Sequence, residues 1–522
     1  DLMTRLYIFS DDSMMGREAG TLGNVMGTTY IANEVKRMGL VPAGDSGTYF
    51  QTIPFKTRSV DSTSKLMVGD SALAFGTEWA VVGNASDAQT NLPVIFAGTL
   101  GDSSNMLPAD QATGKLVVFM LPQGPAMRRA FRGAAKMAES AAGIAVIGPD
   151  QFMGFLRRPA TFVDDPSNAP TTTPKPTIFL TAAAASKLFT MPIDSLKVGT
   201  AGRSATFDVK INIAPVPYPA RNVVAILPGS DPKLKAEYVA VGAHNDHIGM
   251  TARAVDHDSM RIFLHIVRPG GAEDGGKLAT PEQQAEVNTQ LTAWRSAHPG
   301  TERLDSISNG ADDDGSGSVS VLEVAEKMSS LKKKPKRSIL FVWHVGEEKG
   351  LLGSAYYTDH PTVTRDSIVA QLNMDMVGRG DAWDVTGQSK EGAPLHGNSN
   401  YVQLVGSRRL STELGDLIEK VNTEDKHGFT FDYSMDANGH PMNIYCRSDH
   451  YEYARYGIPI TFFTTGGHSD YHQISDEAEY IDYPHMANVD KLVEDIAEHV
   501  ANLDHRVVVD QPKPDPKGAC QQ

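Results

Sequence analysis

The sequence predicts an α/β protein with a mixed, mainly parallel sheet flanked by helices, and with a β-rich domain inserted near the start of the chain. From residue 221 onward, strand-like runs alternate with helical runs, and several of the strands are apolar on both faces. Such strands are typical of parallel sheets that helices cover on both sides. Residues 59–208 break the alternation, because short β runs dominate there and only one or two helical runs interrupt them.

These observations divide the chain into parts with different expected structures. Residues 1–58 and 209–506 form the main domain, and residues 59–208 form the β-rich domain inserted into it. Residues 250–308 interrupt the strand–helix alternation and are expected to be a second, smaller insertion, since so long a loop is uncommon in a compact domain. Residues 507–522 are Pro-rich and polar, so we expect a disordered tail.

The individual elements follow from periodicity. Apolar residues at helical spacing, or Ala-rich composition, predict helices over residues 21–40, 126–142, 281–298, 319–331, 411–422 and 488–503. In the main domain, apolar runs bounded by turn residues predict strands over residues 221–229, 237–244, 337–346, 367–378 and 458–466. Ligands of such sheets bind beyond the carboxyl ends of the strands, so those ends deserve the closest inspection.

Composition excludes several classes of protein. The chain has 522 residues and a net charge of −15, from 48 basic and 63 acidic residues, which argues against a nucleic-acid partner. No apolar run approaches the roughly 18 residues that suggest a membrane span. The chain begins at Asp1, as a cleaved signal peptide or a trimmed chain would, and we expect a secreted or periplasmic protein. The sequence leaves the oligomeric state open.

Cysteine usage restricts any metal site. The only cysteines are Cys446 and Cys520, and neither belongs to a CxxC pair, so thiolate zinc sites are excluded. Whether the two form a disulfide is left open by the sequence. A metal ion in this protein must therefore be held by histidines and carboxylates.

Histidines and carboxylates follow the predicted strands at their carboxyl ends. Together with the aspartate run NGADDDGSGS at residues 309–318, five segments deliver such groups to one rim of one sheet: His244 and Asp246, the run itself, Glu347 and Glu348, Asp375, and His468 and His472. The run fits no EF-hand, because Gly310 and Val321 would occupy ligand positions. Two histidines and three carboxylates can instead hold two zinc ions if one carboxylate bridges them, with another carboxylate as general base.

The motifs AHNDHIG, NGADDDGSG, EEKGLLGS, NMDMVG and DYHQISD, in this order, resemble those of the co-catalytic zinc aminopeptidases. That family includes bacterial leucyl aminopeptidases, the Streptomyces-type aminopeptidase, aminopeptidase Y and glutamate carboxypeptidase II. The resemblance covers residues 221–503 apart from the insertion, and the opening segment GREAGTLGN is also similar. It implies the phosphorylase/hydrolase-like zinc-peptidase fold. The β-rich segment, with GKLVVF and GIAVIG, is similar to the protease-associated domain often inserted in these enzymes.

The resemblance implies a role for each matching residue. It implies a first zinc held by His244 and Asp375, a second held by Glu348 and His472, and Asp313 as the bridge between them. The remaining implied roles are general base for Glu347, orientation of the His244 ring for Asp246, and a hydrogen bond to the reaction's oxyanion for Tyr471. The DYH motif favours His472 over His468 as the ligand.

Other polar residues receive a structural interpretation or none. His344 lies inside a strand and is expected in the core, and His247 and His468 do not match ligand positions. Asp449 and His450 belong to a segment, RSDHYEYARYGIP, that resembles a part of the family near the substrate pocket, but no role can be assigned to them.

The leading functional hypothesis is a dizinc exopeptidase, most consistent with an aminopeptidase that acts on peptides with a free N-terminus through attack by metal-bound hydroxide. A metallo-carboxypeptidase or dipeptidase of the same fold is the first alternative, with Arg379 or Arg447 as the group for the substrate carboxylate. A glutaminyl cyclase would work with one zinc, and a non-enzymatic receptor of this fold would have lost ligands. The complete ligand set disfavours both.

Overall fold

The structure is a computed structural model, and it describes residues 1–102, 104–122, 140–168, 174–300, 302–379 and 400–522. The chain forms two compact units. The main unit contains residues 1–53 and 216–522, and the inserted unit contains residues 54–215. The Ala-rich helix expected at residues 126–142 lies almost entirely outside the described residues.

The helices of the described residues are numbered here in chain order. They are α1 Leu2–Phe9, α2 Leu22–Arg37, α3 Met153–Leu156, α4 Ala182–Phe189, α5 His257–Val267, α6 Pro281–Ala297, α7 Gly317–Ser330, α8 Leu352–Asp359, α9 Thr412–Glu424, α10 His450–Ala454 and α11 Tyr483–Asn502. Each of the five predicted helices in the main unit is present, with ends that differ by a few residues, as expected where helix ends fray.

The strands are numbered in the same way. In the first half of the chain they are β1 Val41–Pro42, β2 Phe50–Ile53, β3 Phe55–Val60, β4 Lys65–Val68, β5 Ser71–Ala72, β6 Trp79–Val82, β7 Asp87–Thr99, β8 Leu116–Met120, β9 Gly143–Ile147, β10 Ala160–Val163, β11 Thr177–Leu180, β12 Ala201–Val209 and β13 Ile211–Pro215. They continue as β14 Ala220–Leu227, β15 Tyr238–His244, β16 Gly249–Asp256, β17 Leu304–Ser308, β18 Ser338–His344, β19 Ile368–Met374, β20 Tyr401–Val405, β21 Thr430–Asp432 and β22 Ile460–Thr464.

The main unit is built on a mixed sheet in the order β1-β14-β18-β15-β19-β22-β20-β21, with β2 also paired to β14. Its centre, from β18 through β15 and β19 to β22, is parallel. The pairs β14–β18 and β20–β22, on either side of this centre, are antiparallel. This arrangement confirms the predicted α/β class, and the carboxyl ends of the four central strands meet at one edge.

Helices cover both faces of this sheet, which is why its strands are apolar on both sides. On one face, α2, α7 and α11 contribute residues such as Val35, Val324 and Val493 to a continuous core with the strands. On the other face, aromatic residues of α8 and α10, among them Tyr357 and Tyr453, pack on β14, β15 and β18. Among the described residues, no helix is both long and apolar enough to cross a bilayer.

The inserted unit is β-rich, as expected. Its larger sheet runs β5-β4-β12-β7-β8-β9-β11-β6, and β10, β3 and β13 form a second sheet. Helix α4 packs on one face of the larger sheet, and the short helix α3 contributes Met153 to the core on the other face. The unit extends beyond the predicted limits of residues 59 and 208, because β3 and β13 pair with each other at its base.

The carboxyl-terminal tail differs from the expected disorder. Cys520 forms a disulfide with Cys446, with 5.8 Å between their Cα atoms. The side-chain amide of Gln522 donates a hydrogen bond to the main-chain oxygen of Ala437, and its side-chain oxygen accepts one from the N–H of Tyr445. The polar composition of the tail could not indicate this anchoring, because it depends on a partner 74 residues away.

Candidate metal centre

Four parallel strands end side by side at the edge where the polar residues follow. His244 is the last residue of β15 and pairs in register with His344, the last residue of β18. Asp375 follows β19 directly, and the turn after β18 carries Glu347 and Glu348. The segment after β22 brings His472 to the same edge. Parallel strands with a common end therefore place residues from distant parts of the sequence in one site.

The aspartate run lies between β17 and α7, and its three carboxylates have different surroundings. Asp312 accepts the main-chain N–H of Gly378 at 2.7 Å and lies 3.1 Å from the Nε2 of His468. Asp314 accepts the N–H of His244 at 3.0 Å and that of Met376 at 3.2 Å, so it joins the ends of β15 and β19. The two outer aspartates are therefore structural acceptors.

The middle carboxylate, Asp313, stands between two histidines. Its Oδ1 lies 3.2 Å from the Nε2 of His244, and its Oδ2 lies 2.9 Å from the Nε2 of His472. The Oδ1 of Asp375 lies 3.7 Å from His244 Nε2, and the Oε2 of Glu348 lies 3.0 Å from His472 Nε2. The structure thus brings together all five residues of the expected ligand set, with one oxygen of Asp313 facing each histidine.

These residues fit a divalent metal site. Ligand atoms about 2.0–2.1 Å from a tetrahedral zinc lie roughly 3.3 Å from one another, which matches the separations in both groups. His244 Nε2, Asp313 Oδ2 and Glu348 Oε1 are buried, and their close contacts with charged neighbours among the described residues lack hydrogen-bond geometry. Buried polar atoms are normally paired, so three such atoms at one point indicate that a ligand completes them.

The electrostatics agree with this interpretation. Burial favours the neutral form of His244, but the acids Asp314, Asp313 and Asp375 outweigh burial and raise its pKa well above the usual value. Burial would raise the pKa of Asp313, yet the contacts with His244 and His472 hold that pKa well below its usual range. The clustered carboxylates are therefore stabilised by positive charge in their midst, which a bound divalent metal would supply.

His247 also belongs to this centre, although the sequence comparison with the family set it aside. Its Nδ1 lies 2.9 Å from Glu348 Oε1 and 3.8 Å from Asp313 Oδ2. The ring is fully buried, and neither nitrogen makes a contact with hydrogen-bond geometry among the described residues. Because it follows His244 by three positions just after the strand end, its place in the motif AHNDHIG was the available signal.

Asp246 does not hold the His244 ring in the expected way. The Nδ1 of His244 lies 3.0 Å from the main-chain oxygen of Asp246, whereas the Asp246 carboxylate lies 3.8 Å away. That carboxylate instead accepts the main-chain N–H groups of Gly346 at 2.7 Å and Glu347 at 3.2 Å. It therefore shapes the turn that presents Glu347, and a carbonyl group orients the ring. Burial raises the pKa of Asp246 to about 6.

Glu347 lies beside His244, and its Oε2 is 4.0 Å from the Nε2 of His244. Burial, followed by the neighbouring Glu348 and Asp375, raises its pKa well above the usual value. A carboxylate with a raised pKa is a better proton acceptor, as a general base requires. Burial, followed by Asp313, likewise raises the pKa of Tyr471 well above its usual value, so its hydroxyl stays protonated and can donate a hydrogen bond.

A cavity of about 290 Å³ adjoins the centre. Its lining includes the acids Asp313, Glu347 and Asp375, together with Glu273, Arg447 and Tyr471. The remaining wall is largely apolar and is formed by Met376, Met435, Met442, Ile444 and Phe462. Ser448, which also lines the cavity, donates its hydroxyl to Asp375 Oδ2 at 2.6 Å.

The other residues singled out in the sequence are buried and contact the surrounding protein. Arg379 is buried and donates to Asp470 at 3.2 Å. His344 is in the core, as expected, where its Nε2 lies 3.1 Å from the hydroxyl of Tyr453, and burial lowers its pKa to about 3. Burial raises the pKa of Asp449 to about 8, and His450 donates its Nε2–H to the main-chain oxygen of Tyr445.

The part of the chain that carries the site is similar to a known family and to known proteins. The model of Peptidase family M28 matches residues 288–497, which include all the implied ligands except His244. Probable leucine aminopeptidase 1 of Trichophyton verrucosum (strain HKI 0517) is 28% identical over 193 residues, which are 35% of this chain and 46% of the relative. Leupeptin-inactivating enzyme 1 of Streptomyces exfoliatus is 42% identical over 78 residues, which are 14% of this chain and 18% of the relative.

The chain therefore spans less than half the length of either of these two relatives. Among solved structures, an aminopeptidase from Aneurinibacillus sp. strain AM-1 aligns over 98% of this chain and 96% of its own, with a TM-score of 0.53 and 16% identity. At this identity the alignment shows a shared fold.

Proposed function

We propose that this chain, whose residues 288–497 match the model of Peptidase family M28, is a dizinc aminopeptidase that removes residues from the amino terminus of peptides. The observation that carries the proposal is Asp313, whose two carboxylate oxygens face the two histidines of separate donor sets at 3.2 Å and 2.9 Å. Such a centre beside an open cavity suits hydrolysis of an amide bond.

The first metal would be held by His244 and Asp375, the second by Glu348 and His472, and both by Asp313. Two divalent ions at these positions supply a readily deprotonated water and polarise the scissile carbonyl. Glu347 takes a proton from the attacking water on its carboxylate as the new carbon–oxygen bond forms. It then delivers that proton to the peptide nitrogen as the carbon–nitrogen bond breaks.

Neighbouring residues hold this machinery in place. Asp246 accepts the N–H of Glu347 and so positions the base, and Ser448 donates to Asp375 and so orients that ligand. The Tyr471 hydroxyl lines the cavity and is placed to donate a hydrogen bond to the oxyanion that develops on the carbonyl oxygen.

The cavity supports a preference for peptides whose first residue is large and apolar. Three methionines, an isoleucine and a phenylalanine form its wall, and flexible methionines adapt to ligands of different shapes. The arginines are already engaged, Arg379 with Asp470 and Arg447 with Glu273, which disfavours a carboxypeptidase.

A metallo-carboxypeptidase or dipeptidase is retained as the second candidate, since Arg447 lines the same cavity and a guanidinium can bind a carboxylate. A secreted or periplasmic location is part of the proposal, supported by the Cys446–Cys520 disulfide, because such bonds persist in oxidising compartments. The inserted unit is proposed as a protease-associated domain, on the motifs of its strands β8 and β9.

The test compares aminoacyl-nitroanilides with N-blocked peptides, before and after chelation and after return of zinc, beside zinc content by mass spectrometry. We expect cleavage of free-amine substrates with large apolar first residues, about two zinc ions per chain, loss on chelation and recovery with zinc. Release of the carboxyl-terminal residue from blocked peptides, with free-amine substrates untouched, would instead establish the carboxypeptidase.

A further inference from the structure

The insertion at residues 250–308 packs directly on the segment that carries His472. Two parts of it make the contact: helix α5 and the short turn Gly271–Asp274 that follows it. We refer to residues 468–472, which include Tyr471, as the His472 segment. Three separate contacts join the insertion to this segment.

The first contact is at Asp470, which is fully buried two residues before His472. From α5, the Nε of Arg261 lies 3.5 Å and the Nε2 of His265 lies 3.8 Å from Asp470 Oδ2. The same oxygen accepts a hydrogen bond from Arg379 at 3.2 Å. A buried carboxylate needs partners of this kind, so α5 contributes to the stability of the segment.

The second contact is between main chains. The N–H of Ala272 donates to the main-chain oxygen of Tyr471 at 3.1 Å. Gly271 has a φ of +57°, and a Cβ atom there would lie 2.8 Å from the main-chain oxygens of His468 and Tyr471. Only glycine permits this approach, so the turn of the insertion is built to lie against the His472 segment.

The third contact reaches the Tyr471 side chain. Glu273 forms an ion pair with the Nη2 of Arg447, and this Nη2 also donates to the hydroxyl oxygen of Tyr471 at 3.3 Å. All three side chains line the cavity beside the metal centre. Because Arg447 donates to the hydroxyl oxygen, the hydroxyl hydrogen of Tyr471 remains available for another acceptor.

We propose that the insertion completes the active site, and that Glu273 is a positioning residue that acts through Arg447 on the hydroxyl of Tyr471. The inference rests on the proposed peptidase function. A carboxylate fixes the planar guanidinium in one orientation, and a fixed donor to the Tyr471 oxygen keeps the hydroxyl directed at the developing oxyanion. Without Glu273, the guanidinium adopts other rotamers and the hydroxyl loses that direction.

The experiment is a double-mutant cycle on the zinc-loaded full chain with an aminoacyl-nitroanilide. Tyr471→Phe is expected to lower kcat roughly 100-fold, and Glu273→Gln roughly tenfold, with KM and zinc content close to the wild-type values. In the double variant we expect kcat no lower than in Tyr471→Phe alone, since Glu273 acts only through that hydroxyl.

Glu286→Gln serves as the matched control, because Glu286 is exposed on α6 of the same insertion. We expect it to leave kcat and KM unchanged. If the effects of Glu273→Gln and Tyr471→Phe multiply, or if Glu273→Gln leaves kcat unchanged, the inference is wrong. If Glu273→Gln does not fold, Arg447→Gln is paired with Tyr471→Phe in the same cycle, and multiplying effects overturn the inference again. A wild-type chain without peptidase activity would refute the proposed function instead.

Discussion

The main-chain oxygen of Asp246, at 3.0 Å from Nδ1, holds the ring of His244, while the Asp246 carboxylate points away to the turn before Glu347. The Asp246 carboxylate, which was expected to orient His244, thus contacts the turn that leads to Glu347 instead. A carboxylate that orients the His244 ring and a carboxylate that positions Glu347 predict different results when Asp246 is substituted.

Asp246→Asn should leave zinc affinity close to that of the wild type. Asn retains an oxygen for the N–H groups of Gly346 and Glu347, and Oδ2 of Asp246 has no hydrogen-bond partner among the described residues to lose. Asp246→Ala should lower kcat and cost roughly 1–3 kcal/mol of unfolding free energy, because two buried N–H groups lose their acceptor. Chelator competition measures the affinity, and a 10–100-fold loss in Asp246→Asn would show that the carboxylate orients the ring.

His247→Ala should weaken the second zinc by about 10–100-fold and leave the first unchanged. The reason is its Nδ1, which lies 2.9 Å from Glu348 in the second donor set. Zinc bound per chain is followed against rising chelator concentration, where we expect one ion to leave earlier than in the wild type. His298→Ala, at an exposed histidine that ends α6, is the matched control. If the His247→Ala variant retains both ions as well as the wild type does, His247 is a packing residue only.

Glu347→Gln should lower kcat by roughly 10²–10⁴-fold, the range expected when a general base is removed. Zinc content and KM should stay close to the wild-type values, because the implied ligands are other residues. Steady-state kinetics with parallel metal analysis measures both quantities. A variant with normal turnover would exclude Glu347 as the base, and a variant without zinc would show that it is a ligand.

Asp490→Asn should stabilise the protein at pH 8 by roughly 5 kcal/mol and have little effect near pH 4. Asp490 is buried on α11, and burial raises its pKa to about 8. The folded chain therefore holds a proton that the unfolded chain, with an ordinary Asp pKa of about 3.9, releases. This lowers the stability of the wild type as the pH rises from about 4 to about 8.

Thermal unfolding of both proteins at pH 5, 6.5 and 8 measures this effect, and the difference in Tm should grow with pH. Zinc loss at low pH affects both proteins alike, so the difference isolates Asp490. Glu286→Gln, an exposed carboxylate, should show a constant difference. A Tm difference for Asp490→Asn that does not change with pH would contradict the raised pKa.

Much of the centre could be predicted because each implied ligand follows a predicted strand or precedes a predicted helix. His244 ends β15, Asp375 follows β19, and the Glu347–Glu348 pair follows β18. Once the central strands are parallel, their common end brings these residues together without further information. The α/β class and the residues that meet at the strand ends were therefore determined by local sequence.

Only the tertiary structure decided which contacts the neighbouring residues Asp246 and His247 make. His247 and Asp246 each face a partner about a hundred positions away, Glu348 for the ring and Gly346 for the carboxylate. Distant residues also meet where the insertion contacts the His472 segment and where the tail forms its disulfide. Periodicity and motif spacing report local geometry, whereas these assignments depend on which surfaces the fold brings into contact, and packing settles that.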